Sequence, residues 1–389
     1  MSLLDQTKAI LGDLVGFPSV SSDSNLDIIA YIEARMRAIG ARTLVLPNDT
    51  GEKANLFASI GPDVPGGLLL SGHTDVVPVE GQDWTTDPFV MREEDGRLYG
   101  RGTCDMKGFL AACLAIAPNM AARDLTAPVH FAFTYDEEVG CRGARALVPD
   151  LEARGIRPEM ALVGEPTLMR VIEGHKGCCE YTARFSGLEG HGSDPYVGVN
   201  AAAYAALYVG KLLELRAELD RGVPTDSPFH PRQTTINIGR IESGTAHNVI
   251  PGKAEVDWEM RPVRPEDADF VRERITAFVA DDLLPAMQQV FPEADIETEI
   301  IGEVAGLIPT PANKARDLVM ELTGANGADL VPFGTEAGLF QSMGTDTVIC
   351  GPGSIEQAHK PDEFVTLDQL SACLQLLEGL ADRMTRPAT

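Results

Sequence analysis

Three short apolar runs in the first half of the chain each stop at a cluster of polar, chemistry-bearing residues. Leu68-Leu69-Leu70 ends at Ser71-Gly72-His73, and Met160 to Val163 ends at Gly164-Glu165-Pro166. Val129, Phe131 and Phe133 alternate with smaller or polar partners and lead into Asp136-Glu137-Glu138. Each run reads as a strand entering a core. Between them lie helical patterns: Ile28, Ile29, Ile32 and Met36 share one face, and the small apolar stretch from Gly108 to Ala115 follows Asp105. Strands alternating with helices specify an α/β domain, and an open α/β sheet places its ligands where strands end.

From about Gly177 the order changes. Cys178 to Phe185 reads as a strand and Val199 to Leu219 as an alanine-rich helix. Thr234 to Ile241 and Val249 to Met260 follow as strands, then a long amphipathic helix over Asp267 to Val290 and a strand over Ile296 to Ile301. That β-α-β-β-α-β succession is the ferredoxin-like pattern, a self-contained unit. Pro309, Thr310 and Pro311 mark the return to α/β alternation, through Val348-Ile-Cys350 and a last helix near Leu367 to Met384. At 389 residues two domains are the default. The expectation is therefore an α/β domain with a central mixed sheet over residues 1–174 and 307–389. An α+β ferredoxin-like domain is inserted at 175–306.

Composition narrows the partners. The net charge of -26 argues against nucleic acid or an anionic lipid surface, since both demand a basic face. A cationic or zwitterionic small molecule suits that field, and acidity that merely maintains solubility is the alternative. No run of about 18 apolar residues is present, and no amino-terminal leader pattern, so a cytoplasmic protein with no membrane partner is expected. The cysteines (Cys104, Cys113, Cys141, Cys178, Cys179, Cys350, Cys373) lack paired metal-ligand spacing and suit reduced thiols in a core. Cys178 and Cys179 read as strand packing.

Adjacent carboxylates at Glu137 and Glu138 repel unless cations neutralise them or one is protonated. A division of labour resolves the conflict, with one acid holding a metal and its neighbour moving a proton. His73, Asp105, Glu138, Glu165 and His359 are the candidate ligands, and imidazole with carboxylate suits zinc, cobalt or manganese. A shared carboxylate lets two such ions sit about 3.5–4 Å apart around one hydrolytic water. In His73-Thr-Asp75 the side chains at i and i+2 of an extended segment face the same way. Asp75 is thus placed to accept the second N–H of His73 and fix its tautomer. Gly100-Arg-Gly-Thr-Cys-Asp-Met-Lys-Gly108 supplies the glycines for a tight turn that aims Asp105 inward.

These stretches, Ser-Gly-His73-Thr-Asp75-Val-Val-Pro, Gly-Arg-Gly-Thr-Cys-Asp105-Met-Lys-Gly, Thr-Tyr-Asp-Glu137-Glu138-Val-Gly and Gly-Glu165-Pro, resemble one family. So does Gly-Pro-Gly-Ser-Ile-Glu-Gln-Ala-His359-Lys-Pro-Asp-Glu363. It is the zinc-dependent amidohydrolase family that includes acetylornithine deacetylase, succinyl-diaminopimelate desuccinylase, aminoacylase and several carboxypeptidases. The resemblance covers nearly the whole chain and implies a catalytic domain interrupted by a dimerising lid, hence a homodimer. It implies two divalent ions, zinc foremost and cobalt next. His73, Asp105 and Glu165 would hold one, and Glu138, Asp105 and His359 the other, with Asp105 bridging. Glu137 would be the general base, taking a proton from the hydrolytic water and giving it to the leaving amine.

The Gly-Pro-Gly-Ser-Ile-Glu-Gln-Ala-His and Phe-Gly-Thr-Glu336-Ala stretches resemble the acetylornithine deacetylase branch. They imply hydrolysis of N2-acetyl-L-ornithine to L-ornithine and acetate, in arginine biosynthesis. Glu336 would then help recognise the substrate ammonium. By the same resemblance His191, Asn248 and Arg261 reach the substrate, His191 across the dimer into the other subunit's site and Arg261 in a bidentate grip on the α-carboxylate. Gly192 follows His191 where relatives often carry serine. Another N-acyl amino-acid hydrolase, a desuccinylase or acetylcitrulline deacetylase, is the alternative within the class. A small-molecule binding protein without catalysis is the alternative outside it.

Overall fold

The computed structural model describes residues 1–385 and divides them into two compact units, each with its own hydrophobic core. One unit comprises Met1–Gly174, Pro309–Val331 and the chain from Thr335 on; the other comprises His175–Ile308 with Pro332–Gly334.

The first unit is built on an eight-stranded mixed sheet. Its centre is four parallel strands in the order Val129–Thr134, Leu68–His73, Met160–Pro166, Asp346–Gly351. Ala54–Ile60 and Arg42–Pro47 extend one side antiparallel, and Ile172–His175 and Asp329–Val331 extend the other. The runs over Leu68–His73 and Val129–Thr134 are buried at every position. Alternation in the second run therefore does not mean a wet face. Helices Leu3–Val15, Lys107–Ala121 and Leu367–Met384 share one core with the sheet. Even His130 is taken in, stacked on Phe57 and bonded through Nδ1 to the Ser59 hydroxyl at 2.7 Å.

Register decides what meets at the sheet edge. His73 lies level with Thr134, and Ser71 with Val163. Two residues past each pairing, Asp136 follows on one flank of His73 and Glu165 lies beside it on the other. Parallel pairing thus delivers the polar ends of three separate runs to one place.

The second unit is an antiparallel sheet in the order Thr235–Ser243, Lys253–Arg261, Cys178–Ser186, Asp295–Val304. Helices Ala201–Arg221 and Pro265–Phe278 contribute Tyr208, Leu212, Val271 and Ile275 to a core with Tyr181, Phe185 and Trp258. With the sheet strands numbered by sequence, the order is 2-3-1-4, the arrangement a ferredoxin-like succession produces. Three readings from sequence are corrected here. Pro251-Gly252 divides the run Val249–Met260 into a short strand, Val249–Ile250, and a long one, because proline withholds a ladder donor. The long amphipathic helix passes through one π turn at Val279–Leu283 before resuming at Leu284–Gln288. Cys179 packs into the core, whereas Cys178 lies on the opposite face, beside Glu180 and Glu259.

Candidate metal centre

The centre grows from the register just described. His73 ends its strand buried at 1% exposure, with Nε2 3.1 Å from Asp105 Oδ1. Asp105 Oδ2 faces the other way, 3.5 Å from Nε2 of His359, and that nitrogen lies 3.0 Å from Glu138 Oε2. One carboxylate therefore shows one oxygen to each histidine, which is the geometry of a bridge. Two groups of donor atoms result, His73–Asp105–Glu165 and Asp105–Glu138–His359, each with all its atoms within 4.8 Å of one another. Glu137 belongs to neither group.

The local backbone explains how the side chains get there. Asp105 rides on a turn in which Gly102 takes φ +80°, a conformation that disfavours any Cβ, and in which an added Cβ would meet Val76 at 2.8 Å. His359 itself takes φ +62° without being glycine. A bulky residue held there costs on the order of 1–3 kcal/mol, a strain typical of functional sites.

Asp75 does more than its i, i+2 spacing suggests. The nearest partner of His73 Nδ1 is the backbone carbonyl of Asp75 at 2.9 Å, with the carboxylate at 3.5 Å. An N–H donated to that carbonyl still leaves the Nε2 lone pair facing Asp105. The carboxylate also accepts from the Ser21 hydroxyl at 2.7 Å and from the backbone N–H groups of Glu137 and Glu138 at 3.1 and 3.4 Å. Asp75 thus holds the Glu-Glu turn. Sequence spacing cannot show this, because the partners are more than fifty positions away.

Glu336 is likewise corrected. It is fully buried, accepting from Ser71 Oγ at 2.5 Å and Thr134 Oγ1 at 2.8 Å, so both oxygens meet hydroxyls of the strands under the centre. It presents no surface to a ligand.

Electrostatics point to cations. Asp75, Asp105, Glu137, Glu138, Glu165 and Glu336 converge here, while the buried cations nearby are Arg101 and Lys107. Burial, reinforced by Asp105 and Glu137, pushes the Glu165 carboxyl well above its usual range. Burial does the same to Glu137, with Glu138, Asp105 and Asp75 adding to it and His73 opposing. Asp105 and Glu138 raise His359 to about 10. Burial opposes charge on His73, yet its bonds to Asp105 and Asp75 and the charge of Glu165 lift it well above the ordinary histidine value. Imidazoles held so by carboxylates attract a cation, whether proton or metal. Glu165 Oε1 is buried without a hydrogen-bond partner among the described residues. An unpaired carboxylate oxygen inside a nitrogen–oxygen donor set fits a divalent ion.

Three further site candidates belong to the second unit. His191 is exposed on a two-residue strand paired with Val249. The backbone N–H of Ser193 donates to its Nδ1 at 3.2 Å, which leaves Nε2 protonated and outward as a donor. Gly192 is required beside it, since a Cβ there would lie 2.9 Å from the Asn248 backbone. Ser193 thus supplies the contact to His191. Asn248 is exposed, and its carbonyl accepts from Gly192 N at 2.7 Å. Arg261 is paired with Glu259 through Nε at 3.0 Å and Nη2 at 2.8 Å, so its fork is partly engaged.

Sequence reasoning gave no role to Ser21, Cys141 or Lys53. The Cys141 thiol donates to Glu137 Oε1 at 3.4 Å, and Lys53 pairs with Asp136 under the turn. A basic residue opposite an acidic turn was the available signal for Lys53; nothing local marks the other two.

Comparison with known proteins agrees with this construction. Residues 69–383 match the family profile of Peptidase family M20/M25/M40. An acetylornithine deacetylase of Shigella sonnei (strain Ss046) is 35% identical over 359 residues, covering 90% of this chain and 91% of the relative. Among solved structures, the M20 family metallo-carboxypeptidase Sso-CP2 of Sulfolobus solfataricus superposes with a TM-score of 0.74 at 18% identity, covering 98% of this chain and 99% of its own. The di-peptidase Dug1p of Saccharomyces cerevisiae gives 0.71 at 17%, covering 100% and 98%. The Bacillus subtilis YXEP protein, described as a dinuclear metal binding peptidase, gives 0.62 at 19%, covering 97% of each. At these identities the structural matches speak to the fold.

Proposed function

The chain belongs to peptidase family M20/M25/M40 and is a hydrolase of that family, and from that premise we propose that it cleaves the amide bond of N2-acetyl-L-ornithine to L-ornithine and acetate. The observation that carries the substrate is the 35% identity to an acetylornithine deacetylase along nine-tenths of the chain. The protein would act in arginine biosynthesis, in the cytoplasm, as a homodimer joined through the second unit. None of the described helices is long and apolar enough to cross a membrane.

Two divalent ions, zinc or cobalt, would be held by His73, Asp105 and Glu165 and by Asp105, Glu138 and His359. When bound they supply Lewis acidity and lower the pKa of water toward neutrality. Glu137 is left to move the proton, because it stands beside the donor groups without joining them. Its raised affinity for a proton suits a group that must accept one from water and release it to the departing amine nitrogen. Asp75 keeps Glu137 and Glu138 in place through their backbone N–H groups. His191, with Nε2 protonated, would donate to the amide oxygen as negative charge builds there. Asn248 and Arg261 would complete the grip on the amino-acid portion, Arg261 with the guanidinium nitrogen that Glu259 does not engage.

The test is acetate release from a panel of N-acyl amino acids, assayed with zinc and with cobalt. Highest kcat/KM on acetylornithine supports the proposal. A preference for a succinylated or neutral acetylated amino acid would replace the substrate and leave the hydrolase standing.

A further inference from the structure

Glu363 lies outside both groups of metal donors, yet it is among the most thoroughly bonded side chains of the first unit. It is 1% exposed. Its Oε1 accepts from the backbone N–H groups of Cys104 at 2.8 Å and Asp105 at 3.0 Å. Its Oε2 accepts from Gly102 N at 2.9 Å and from Arg101 Nη1 at 2.8 Å. One carboxylate thus gathers the N–H groups of the turn that carries the bridging Asp105. A backbone so held cannot rotate Asp105 away without stranding several donors in a dry interior.

The same network reaches the other side of the centre. Arg101, also 1% exposed, donates from Nη2 to Gln82 Oε1 at 2.6 Å. Trp84 Nε1 donates to that oxygen as well, at 3.0 Å, which fixes the Gln82 amide with its NH2 outward. That NH2 donates to the backbone carbonyl of His359 at 2.9 Å. Thr85 grips Asp362 in the same loop through its N–H and hydroxyl, at 3.1 and 2.6 Å. His359 needs such support, since its backbone is left-handed and its side chain is 53% exposed. A buried Arg–Glu pair is a poor source of stability, because desolvation of both ions offsets their attraction. Its position between two ligand-bearing segments gives it another use.

We infer that Glu363 is the positioning residue of the metal centre, fixing Asp105 directly and His359 through Arg101 and Gln82. The inference rests on the reading of these residues as metal ligands. Glu363 touches neither metal nor substrate; it sets how well formed the donor set is before an ion arrives. Partners that orient metal ligands in this way change affinity about 10–100-fold when removed.

The test is cobalt(II) titration of the chelator-stripped full-length protein, followed by visible absorption and by competition with a chelator. Glu363→Gln places an amide NH2 against Gly102 N–H or Arg101, and is expected to weaken binding of both equivalents at least about tenfold and to alter the cobalt bands. Gln82→Ala removes the tether to His359 together with the acceptor of Arg101 Nη2 and Trp84 Nε1, leaves the Glu363 bonds to the Asp105 turn in place, and is expected to weaken one equivalent while sparing the other. A purely structural role would lower the melting temperature of the stripped protein while leaving both affinities and the cobalt bands as in wild type. Wild-type affinities and spectrum in both variants would overturn the inference. If Glu363→Gln does not fold, Gln82→Ala decides alone, and an unchanged affinity ratio there overturns it. A wild-type protein that takes up no cobalt would instead sink the metal reading, and this inference with it.

Discussion

Glu137→Gln separates proton transfer from metal binding more cleanly than any other single change here. The side chain keeps its length, and its amide oxygen can still accept from the Cys141 thiol now 3.4 Å away. Asp75 bonds the backbone of residue 137, which the substitution leaves intact. What disappears is the ability to take a proton, which is worth about 10²–10⁴ in rate for a positioned general base. At 1.36 kcal/mol per tenfold, that is about 2.7–5.4 kcal/mol of barrier. The stability effect runs the other way. The folded state raises the proton affinity of Glu137, chiefly by burial, so its charged form destabilises the fold above the unfolded carboxylate pKa. Stability from this group is present at low pH and lost as pH rises through the raised value, so at pH 7–8 the neutral glutamine removes a penalty. The assay is kcat for acetate release with metal content by elemental analysis, plus melting of chelator-stripped protein at pH 7.5. Turnover should fall at least about a hundredfold with metal retained and melting no lower than wild type. Retained turnover would refute the base, and lost metal would show that Glu137 and Glu138 exchange roles.

His73→Ala and His359→Ala should each lower metal content and activity together, because each removes a nitrogen from a donor set with few members; full occupancy in both variants would refute the ligand assignment. Chelator-stripped protein should lose stability as pH rises from about 6.5, the unperturbed histidine value, toward the raised value of His359, because a histidine raised to about 10 favours the fold only while protonated. His359→Ala should flatten that slope in a pH series of melting curves, and an unchanged slope would remove this pair from the account. Glu336→Gln should cost activity equally on acetylornithine and on an acetyl amino acid with a neutral side chain, since both oxygens already meet hydroxyls. A loss confined to acetylornithine would show that Ser71 and Thr134 give way to the substrate ammonium. His191→Ala should lower kcat with metal content unchanged, and unaltered kcat would leave that histidine outside the reaction.

The candidate donors His73, Glu138 and Glu165 were legible because each follows a run whose apolar pattern is local. Those strands announce themselves in four to six residues, and the glycines around Asp105 mark its turn. What sequence could not supply was the direction of each hydrogen bond. Asp75 was placed correctly on the edge, but the choice between its carbonyl and its carboxylate depends on Ser21 and on the Glu-Glu backbone. Glu336 reads from sequence as an acid facing the substrate ammonium; only the pairing of the strands bearing Ser71 and Thr134 shows its two oxygens already taken up by hydroxyls. Glu363 holds atoms some 260 positions earlier, a separation no periodicity can register. In the second unit, Pro251-Gly252 was visible as punctuation, yet the apolar run around it read as one strand.

The centre is a local contradiction that the surrounding fold makes tolerable. Carboxylates gathered in a dry place repel one another and lose their hydration, and the raised proton affinities of Glu137, Glu138 and Glu165 record that conflict. A loosely built edge would relieve it by turning the acids out to water. Here each is prevented in a different way: Asp75 ties the Glu-Glu turn, Glu363 holds the backbone N–H of Asp105, and parallel pairing keeps Glu165 beside His73. Arg101 and Lys107 are buried close by, but burial drags Lys107 down to about 7, so even that cation is only partly charged near neutrality. Local compensation by the protein's own cations is thus incomplete, and the orphan oxygen of Glu165 lies where it falls short. A site that holds its anions apart from water and leaves them under-neutralised is preorganised for a multivalent cation, because the cost of assembling the ligands is met before the ion binds.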